Sequence, residues 1–276
     1  METTERTCAI HDNGSPAPAA GRLDRFAATR VDDAPQLTVA LATTARDIEA
    51  AQRLRYRVFA GEMGARLAGR TSGRDEDVFD AWCEHLIVRD ERCGEVVGTY
   101  RILAPDRAAR LGTFYADTEF DLVRLAPLRP AMCELGRACI HPAYRTGAAI
   151  MRLWQGLAAY MRERRVRTLI GCASIPLDDG GANALAVWRE LERAHLAPIE
   201  HRVFPRDPFP LPNNTGAAAC ASRAVVPALL KGYLRTGAWI GGEPAWDRDF
   251  GTADLFVLLP LARLGDRYAR HYLKAA

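Results

Sequence analysis

The stretch CELGRACIHPAYR, residues 133–145, places Glu134 and Arg137 inside an apolar run that reads as a β-strand. A carboxylate can take a proton from a nucleophile, and a guanidinium can steady negative charge. In a regular strand alternate side chains face opposite sides, so residues 134 and 137 would point apart. Gly136 between them allows a β-bulge, whose extra residue restores a common face. The bulge also frees backbone N–H groups, which could hold the oxyanion of an acyl transfer. The plainer alternative, a strand-end ion pair without chemistry, stays open on spacing alone.

Three further clusters carry charge. RLRYRVF holds Arg53, Arg55 and Arg57 on a helix; Arg53 and Arg57 share a face and Arg55 points elsewhere. RDEDVFDAW gathers Asp75, Glu76, Asp77 and Asp80, which suits a cationic ligand such as an amine, or else a solvated loop. MRERRVR closes a helix with Arg162, Arg164, Arg165 and Arg167, favourable at any helix C-terminus and able to meet an acidic partner. Other chemistries are poorly supported. The histidines and Ser174 form no nucleophile elbow, and no phosphate-binding GxGxxG or GxxxxGK[ST] occurs. Cys172 in GCAS reads as a packing residue.

The elements that must position these groups follow from periodicity. LTVALA (37–42) reads as a strand and 45–63 as a helix with Ile48, Ala51, Leu54, Val58 and Met63 on one stripe. Residues 64–82 read as a long loop. CEHLIVRD and EVVGTYRIL flank ERCG as a hairpin. Residues 105–131, with three prolines, read as irregular. After the 133–145 strand come helix 148–165, strand 166–174, helix 183–196 and a proline-rich loop. A helix with Pro227 in its first turn, the strand TADLFVLLP and a closing helix LARLGDRYARHYL complete the chain. This order predicts an α/β fold, a central mixed twisted sheet flanked by helices. Residues 1–35 lack periodicity and read as a loosely packed tail; 36–276 read as one domain.

Bulk properties narrow the class. The 276 residues carry a net charge of +3, too little to argue for nucleic acid. Seven cysteines without a CxxC read as reduced thiols of a cytoplasmic protein, and paired Cys/His metal spacing is absent, so no metal is expected. No apolar run is long enough to span a membrane. Peripheral contact with an inner membrane stays open.

RLRYRVFAGEMG, RDEDVFD, VVGTYRIL and CELGRACIHPAYR, in that order, resemble the carrier-protein-dependent branch of the GNAT acyltransferase superfamily, which includes the acyl-homoserine-lactone synthases. IMRLWQGLAAYM, GCASIP, PALLKGYLRTGAW and DRDFGTADLFVLLP extend the likeness to bacterial ornithine N-acyltransferases, over roughly residues 37–260. The resemblance implies a GNAT-like acyl-CoA N-acyltransferase fold with a C-terminal extension. It implies transfer of a 3-hydroxyacyl chain from acyl carrier protein to the α-amine of ornithine, giving lyso-ornithine lipid. No cofactor is then required, because the phosphopantetheine thioester arrives on the carrier protein. Arg55, Phe59, Asp77, Asp80, Arg101, Glu134 and Arg137 match the motif positions of the lactone synthases. Glu134 and Arg137 would be catalytic, and the other five would serve the acceptor site.

Acetyl-CoA-using members have a Q/R-x-x-G-x-G/A loop that cradles pyrophosphate. Here YRTGAAI puts Arg145 and Gly147 one residue too close for that spacing, which fits a protein-borne donor. Arg145, Arg152, Arg164 and Arg165 become candidates for meeting the donor or its acidic carrier. Three alternatives remain: a lactone synthase, the same chemistry on lysine, glutamine or glycine, and a non-catalytic module that binds membrane or carrier protein.

Overall fold

The computed structural model describes residues 35–67, 72–211 and 224–264. Pro35–Ala276 forms a compact unit by itself. The proposed tail, Cys8, Cys220 and most of the closing helix lie outside the described residues. Leu261–Arg263, at its start, forms a single 3₁₀ turn.

The chain begins with β1 (Leu37–Leu41) and α1 (Ala45–Tyr56), then the hairpin β2 (Glu84–Asp90) and β3 (Glu95–Leu103). Next come α2 (Pro105–Leu111), α3 (Ala116–Glu119), β4 (Phe120–Asp121) and β5 (Met132–Ile140). The helix α4 (Ala148–Glu163), strand β6 (Thr168–Pro176), helix α5 (Ala182–Ala194) and strand β7 (Phe204–Pro205) follow. The chain closes with α6 (Ala228–Arg235), β8 (Trp239–Ile240), β9 (Ala245–Asp247) and β10 (Thr252–Pro260). One sheet runs in the order β1-β2-β3-β5-β6-β10-β8, with β9 on β10. All its pairs are antiparallel except β5 with β6.

The sequence accounts for these elements locally. Thr44 caps α1 by accepting the Asp47 N–H at 3.2 Å. Ala51, Leu54 and Val58 then lie buried against Ile87, Val96 and Cys139 of the sheet. On the opposite face Leu153, Leu157 and Met161 of α4, Val187 and Leu191 of α5, and Leu230 and Tyr233 of α6 share one core. The Leu230 and Tyr233 side of α6 is therefore turned into the protein. Pro227 is the N-cap of α6, one position before the predicted first turn.

Two other expectations change. The predicted 45–63 helix is α-helical only to Tyr56 and continues as a π-helical turn, Arg57–Glu62. Such turns concentrate at functional sites, and this one carries Phe59 to the cavity described below. The "irregular" 105–131 segment is ordered: α2 starts at Pro105 and stops at left-handed Gly112, and Val123–Ala131 is 3₁₀-helical. Its prolines suit helix starts and short turns, which masked the helical content.

The sheet is breached at its centre. β5 and β6 pair only from Met132–Glu134 to Thr168–Ile170, although each strand has nine residues. Beyond that point the strands part. Gly171 sits at the branch, where an added Cβ would run into the Leu135 carbonyl oxygen. Gly171→Ala is therefore expected to destabilise the fold by about 1–3 kcal/mol by overpacking at the branch. The check is a lower urea midpoint with an unchanged slope.

Candidate active site

The predicted bulge exists, and it moves the unusual backbone onto arginine. Arg101 pairs with Gly136 and Thr99 with Cys139, so Arg137 and Ala138 together stand opposite Tyr100. Arg137, not Gly136, takes a left-handed φ of 48°. A non-glycine residue in that region is held by its surroundings. The extra residue brings Arg137 to the face that carries Arg101 and Glu134; all three line one cavity of about 220 Å³.

Arg137 does not pair with Glu134. Its Nε stands 3.3 Å from Asp75 and its Nη2 3.3 Å from Asp77. It also packs over the Tyr115 and Phe250 rings, at 5.0 and 4.6 Å from their centroids. Arg55, wholly buried, donates from Nε to Asp75 at 2.8 Å and from Nη2 to Asp80 at 2.7 Å. Arg101 donates to Asp77 at 2.6 Å. Burial pushes the Asp77 carboxyl up, but the charges of Arg101 and Arg137 prevail and hold it below the usual range. Three arginines and three aspartates thus interlock into one network. Spacing alone left the acidic loop as a site for a cationic ligand or a solvated loop. Asp75, Asp77 and Asp80 are instead occupied by the protein's own guanidinium groups.

Glu134 has a different environment. Its two oxygens accept the backbone N–H groups of Tyr115 and Ala116, each at 2.7 Å. Burial pushes its carboxyl up to about 7, against those two N–H groups and the charge of Arg101. A cation beside a carboxyl ordinarily lowers it and weakens it as a base. Here Asp75 and Asp77 engage Arg137, and desolvation dominates at Glu134.

The cavity passes through the β5/β6 gap and changes character. On the Glu134 face it is lined by Arg101, Tyr115, Arg137, Cys172, Ser174, Asp247 and Asp254. On the helical face of α6 the lining is Leu135, Leu169, Leu229, Leu230, Val257 and Leu259. The hydroxyls of Tyr100 and Tyr233 meet there at 2.8 Å.

Of the predicted site residues, Phe59, Arg101, Glu134 and Arg137 line the cavity. Arg55 and Asp80 stand behind it, holding Arg101 and the acidic loop. Phe59 packs edge-on against Phe250, at 5.5 Å. The four proposed donor-side arginines are not one patch. Arg145 precedes α4, pairs with Glu62 at 2.9 Å and donates to the Ile140 carbonyl. Arg152 lies exposed on α4 beside Gln155. Arg164 and Arg165 follow α4, and Arg164 pairs with Glu84 at 2.9 Å. Sixteen helical residues separate the two ends, about 24 Å at 1.5 Å per residue.

Spacing missed a second acidic group. Glu119, Cys172 and Asp254 place their ligand atoms within 4.8 Å of one another, although 135 residues of sequence separate the first from the last (254 − 119 = 135). Asp254 was readable only as a charge inside the apolar strand TADLFVLLP. Glu119 sat in the segment read as irregular. Burial pushes the Cys172 thiol well above its ordinary value, so it is neutral, and it lines the cavity. All five described cysteines are free, and Cys93 is exposed.

This sheet, parted between two parallel strands with Glu134 and the bulged Arg137 at the gap, is that of a GNAT-type acyltransferase by its family match and its relatives. Residues 54–155 match the family model described as an acetyltransferase (GNAT) domain. The chain belongs to the L-ornithine N(alpha)-acyltransferase family. It is 38% identical over 251 residues to the protein of that name from Brucella abortus (strain 2308), covering 86% of this chain and 88% of the relative. It is 36% identical over 247 residues to the one from Rhodobacter capsulatus, covering 86% and 94%. Among solved structures, the acyl-homoserine-lactone synthase LasI superposes with a TM-score of 0.49 at 12% identity, covering 88% of this chain and 98% of that one. FeeM, an N-acyl amino acid synthase from uncultured soil microbes, gives 0.45 at 12% identity, covering 83% and 92%. Among the described residues no helix is long and apolar enough to cross a membrane.

Proposed function

We propose that the protein transfers a fatty acyl chain from a thioester donor to the α-amine of ornithine, forming lyso-ornithine lipid. One observation carries this reading: a single cavity is polar on one face of the sheet and apolar on the other, with Glu134 beside the gap that joins them. The apolar half takes the acyl chain. The Tyr100 and Tyr233 hydroxyls are the polar groups there, and they suit a 3-hydroxyl on that chain. The polar half takes the amino acid. Glu134 accepts the amine proton, the bulge N–H groups face the oxyanion, and Arg137 meets the acceptor carboxylate. The amine attacks the thioester carbonyl, the C–N bond forms, the C–S bond breaks, and the thiol leaves with a proton.

The donor in this reading is acyl carrier protein. The shortened Arg145–Gly147 spacing and the engagement of Arg145 with Glu62 and Ile140 favour it over CoA. Carrier contact falls near Arg145 and Arg152; Arg164 and Arg165, at the far end of α4, belong to a different surface.

The test supplies purified protein with ornithine and 3-hydroxyacyl carrier protein or the matching acyl-CoA, and follows free thiol and lipid mass. The expected result is a lyso-ornithine lipid, formed faster from carrier protein and lost in Glu134→Ala. Lactone from S-adenosylmethionine would replace this reading with a lactone synthase. Carrier binding without thiol release would make the chain a binding module.

A further inference from the structure

We infer that Glu119 and Asp254, with Asp247 beside them, form the subsite that binds the side-chain ammonium of the acceptor and so select a basic amino acid. The inference rests on the acyltransferase reading above and adds the residues that choose its acceptor.

Both oxygens of Glu119 are buried and have no hydrogen-bond partner. The Cys172 thiol and the Tyr115 hydroxyl come near, without normal hydrogen-bond geometry. A buried carboxyl with neither oxygen satisfied is rare in a folded protein and marks a place for a missing donor. Asp254, which lines the cavity, brings a carboxyl oxygen within 4.8 Å of Glu119; it is 3% exposed and accepts from Thr252 Oγ1 at 2.7 Å and Ser174 Oγ at 3.2 Å. Asp247 accepts the backbone N–H groups of Asp249 and Phe250 at 2.9 Å each. Among the described residues none of these three carboxyls has an ion-pair partner. Arg137 is near enough to pull the Asp254 carboxyl down, but its ion pairs are with Asp75 and Asp77.

Crowding shows in the acidities. Burial pushes Glu119 well above the carboxylate range, and the charges of Asp254 and Asp247 push it further. Burial and Asp247 raise Asp254 to about 6. A cation placed among these groups would relieve the repulsion. The space is also in the right place. Glu134 pairs with Ile170 on β6, and Cys172, beside Glu119, lies two residues further on the same face. That step is about 7 Å along a strand, a span suited to the distance between the two amines of ornithine.

A primary ammonium fits better than a metal. It brings three donors to a group in which both Glu119 oxygens lack one, whereas the thiol of the group is neutral.

The test measures kcat/KM for L-ornithine and L-norvaline, which keeps the carbon chain but lacks the terminal amine. Thiol release from acyl carrier protein is followed in the wild type, Glu119→Gln and Asp254→Asn, with thermal melts as a folding control. The wild type is expected to prefer ornithine. In each variant that preference should fall about 100-fold through the KM for ornithine, with norvaline affected far less. A preference kept in both variants overturns the inference and leaves the function standing. Equal loss with both acceptors, in variants that melt normally, also overturns it. So does a stoichiometric divalent metal whose removal by chelator abolishes the preference. A wild type that acylates no amino acid overturns the function, and the inference with it.

Discussion

Glu134→Gln is expected to lower turnover at saturating ornithine by about 10²–10⁴-fold, the usual contribution of a positioned general base. An ornithine α-amine is protonated near neutral pH and cannot attack until it loses that proton. The carboxyl of Glu134 sits by the β5/β6 gap with burial raising it to about 7, so its affinity for protons suits the task. The N–H groups of Tyr115 and Ala116 fix both oxygens, yet each oxygen keeps a lone pair for the amine. The sign of the pH dependence follows. Below pH 7 the carboxyl is protonated and cannot act, and above pH 7 it is a carboxylate. The rate of the wild type should therefore climb between about pH 6 and 8, and this limb should vanish in the glutamine variant. A glutamine amide also faces one of the two N–H groups with its own donors. A loss of about 1–3 kcal/mol in stability is expected from the unsatisfied backbone group. Rate and melting must be measured together. Unchanged turnover at saturating ornithine would leave Glu134 an anchor for α3 and no base.

The sequence made the elements legible where periodicity is strong: the hairpin, α4, α5 and β10 fall close to their predicted positions. It also made the bulge legible, since Glu134 and Arg137 share a face in no regular strand. It did not say which residue bends, because Gly136 looked the natural choice and Arg137 is held in place by Asp75, Asp77 and two aromatic rings. The acidic loop was ambiguous for a related reason. A run of carboxylates in sequence shows charge and hides its partners, and Arg55, Arg101 and Arg137 come from three separate elements. Glu119 and Asp254 show the converse. No single run of sequence holds both, and the pairing of Asp254 with Ser174 on β6 and the turn of α3 bring them together.

Arg55→Ala should cost about 3–5 kcal/mol, the penalty for leaving buried charge without its partner. Arg55 is a scaffold for the site, since it lines no part of the cavity, yet its guanidinium joins the acidic loop at three points. It holds the Asp75 carboxylate, the Asp75 backbone carbonyl and both oxygens of Asp80. Removing it leaves Asp75 and Asp80 buried at 3% and 7% exposure. The cations left to them are Arg137, 3.3 Å from Asp75, and Arg101, 3.4 Å from Asp80, and both are already shared with Asp77. For a domain of this size each kcal/mol moves Tm by about 2–4 °C, so a fall of about 10 °C is expected in a thermal melt. Arg55→Lys keeps the charge but not the planar fork that serves two carboxylates at once, so it should recover only part of the loss. Activity should fall with the melt, through displacement of Arg101 and Arg137 at the gap, and the KM for ornithine should rise. A melt within about 2 °C of the wild type, in the alanine variant, would mean that about 1 kcal/mol or less depends on this network. The acidic loop would then be held by its backbone and not by its charges.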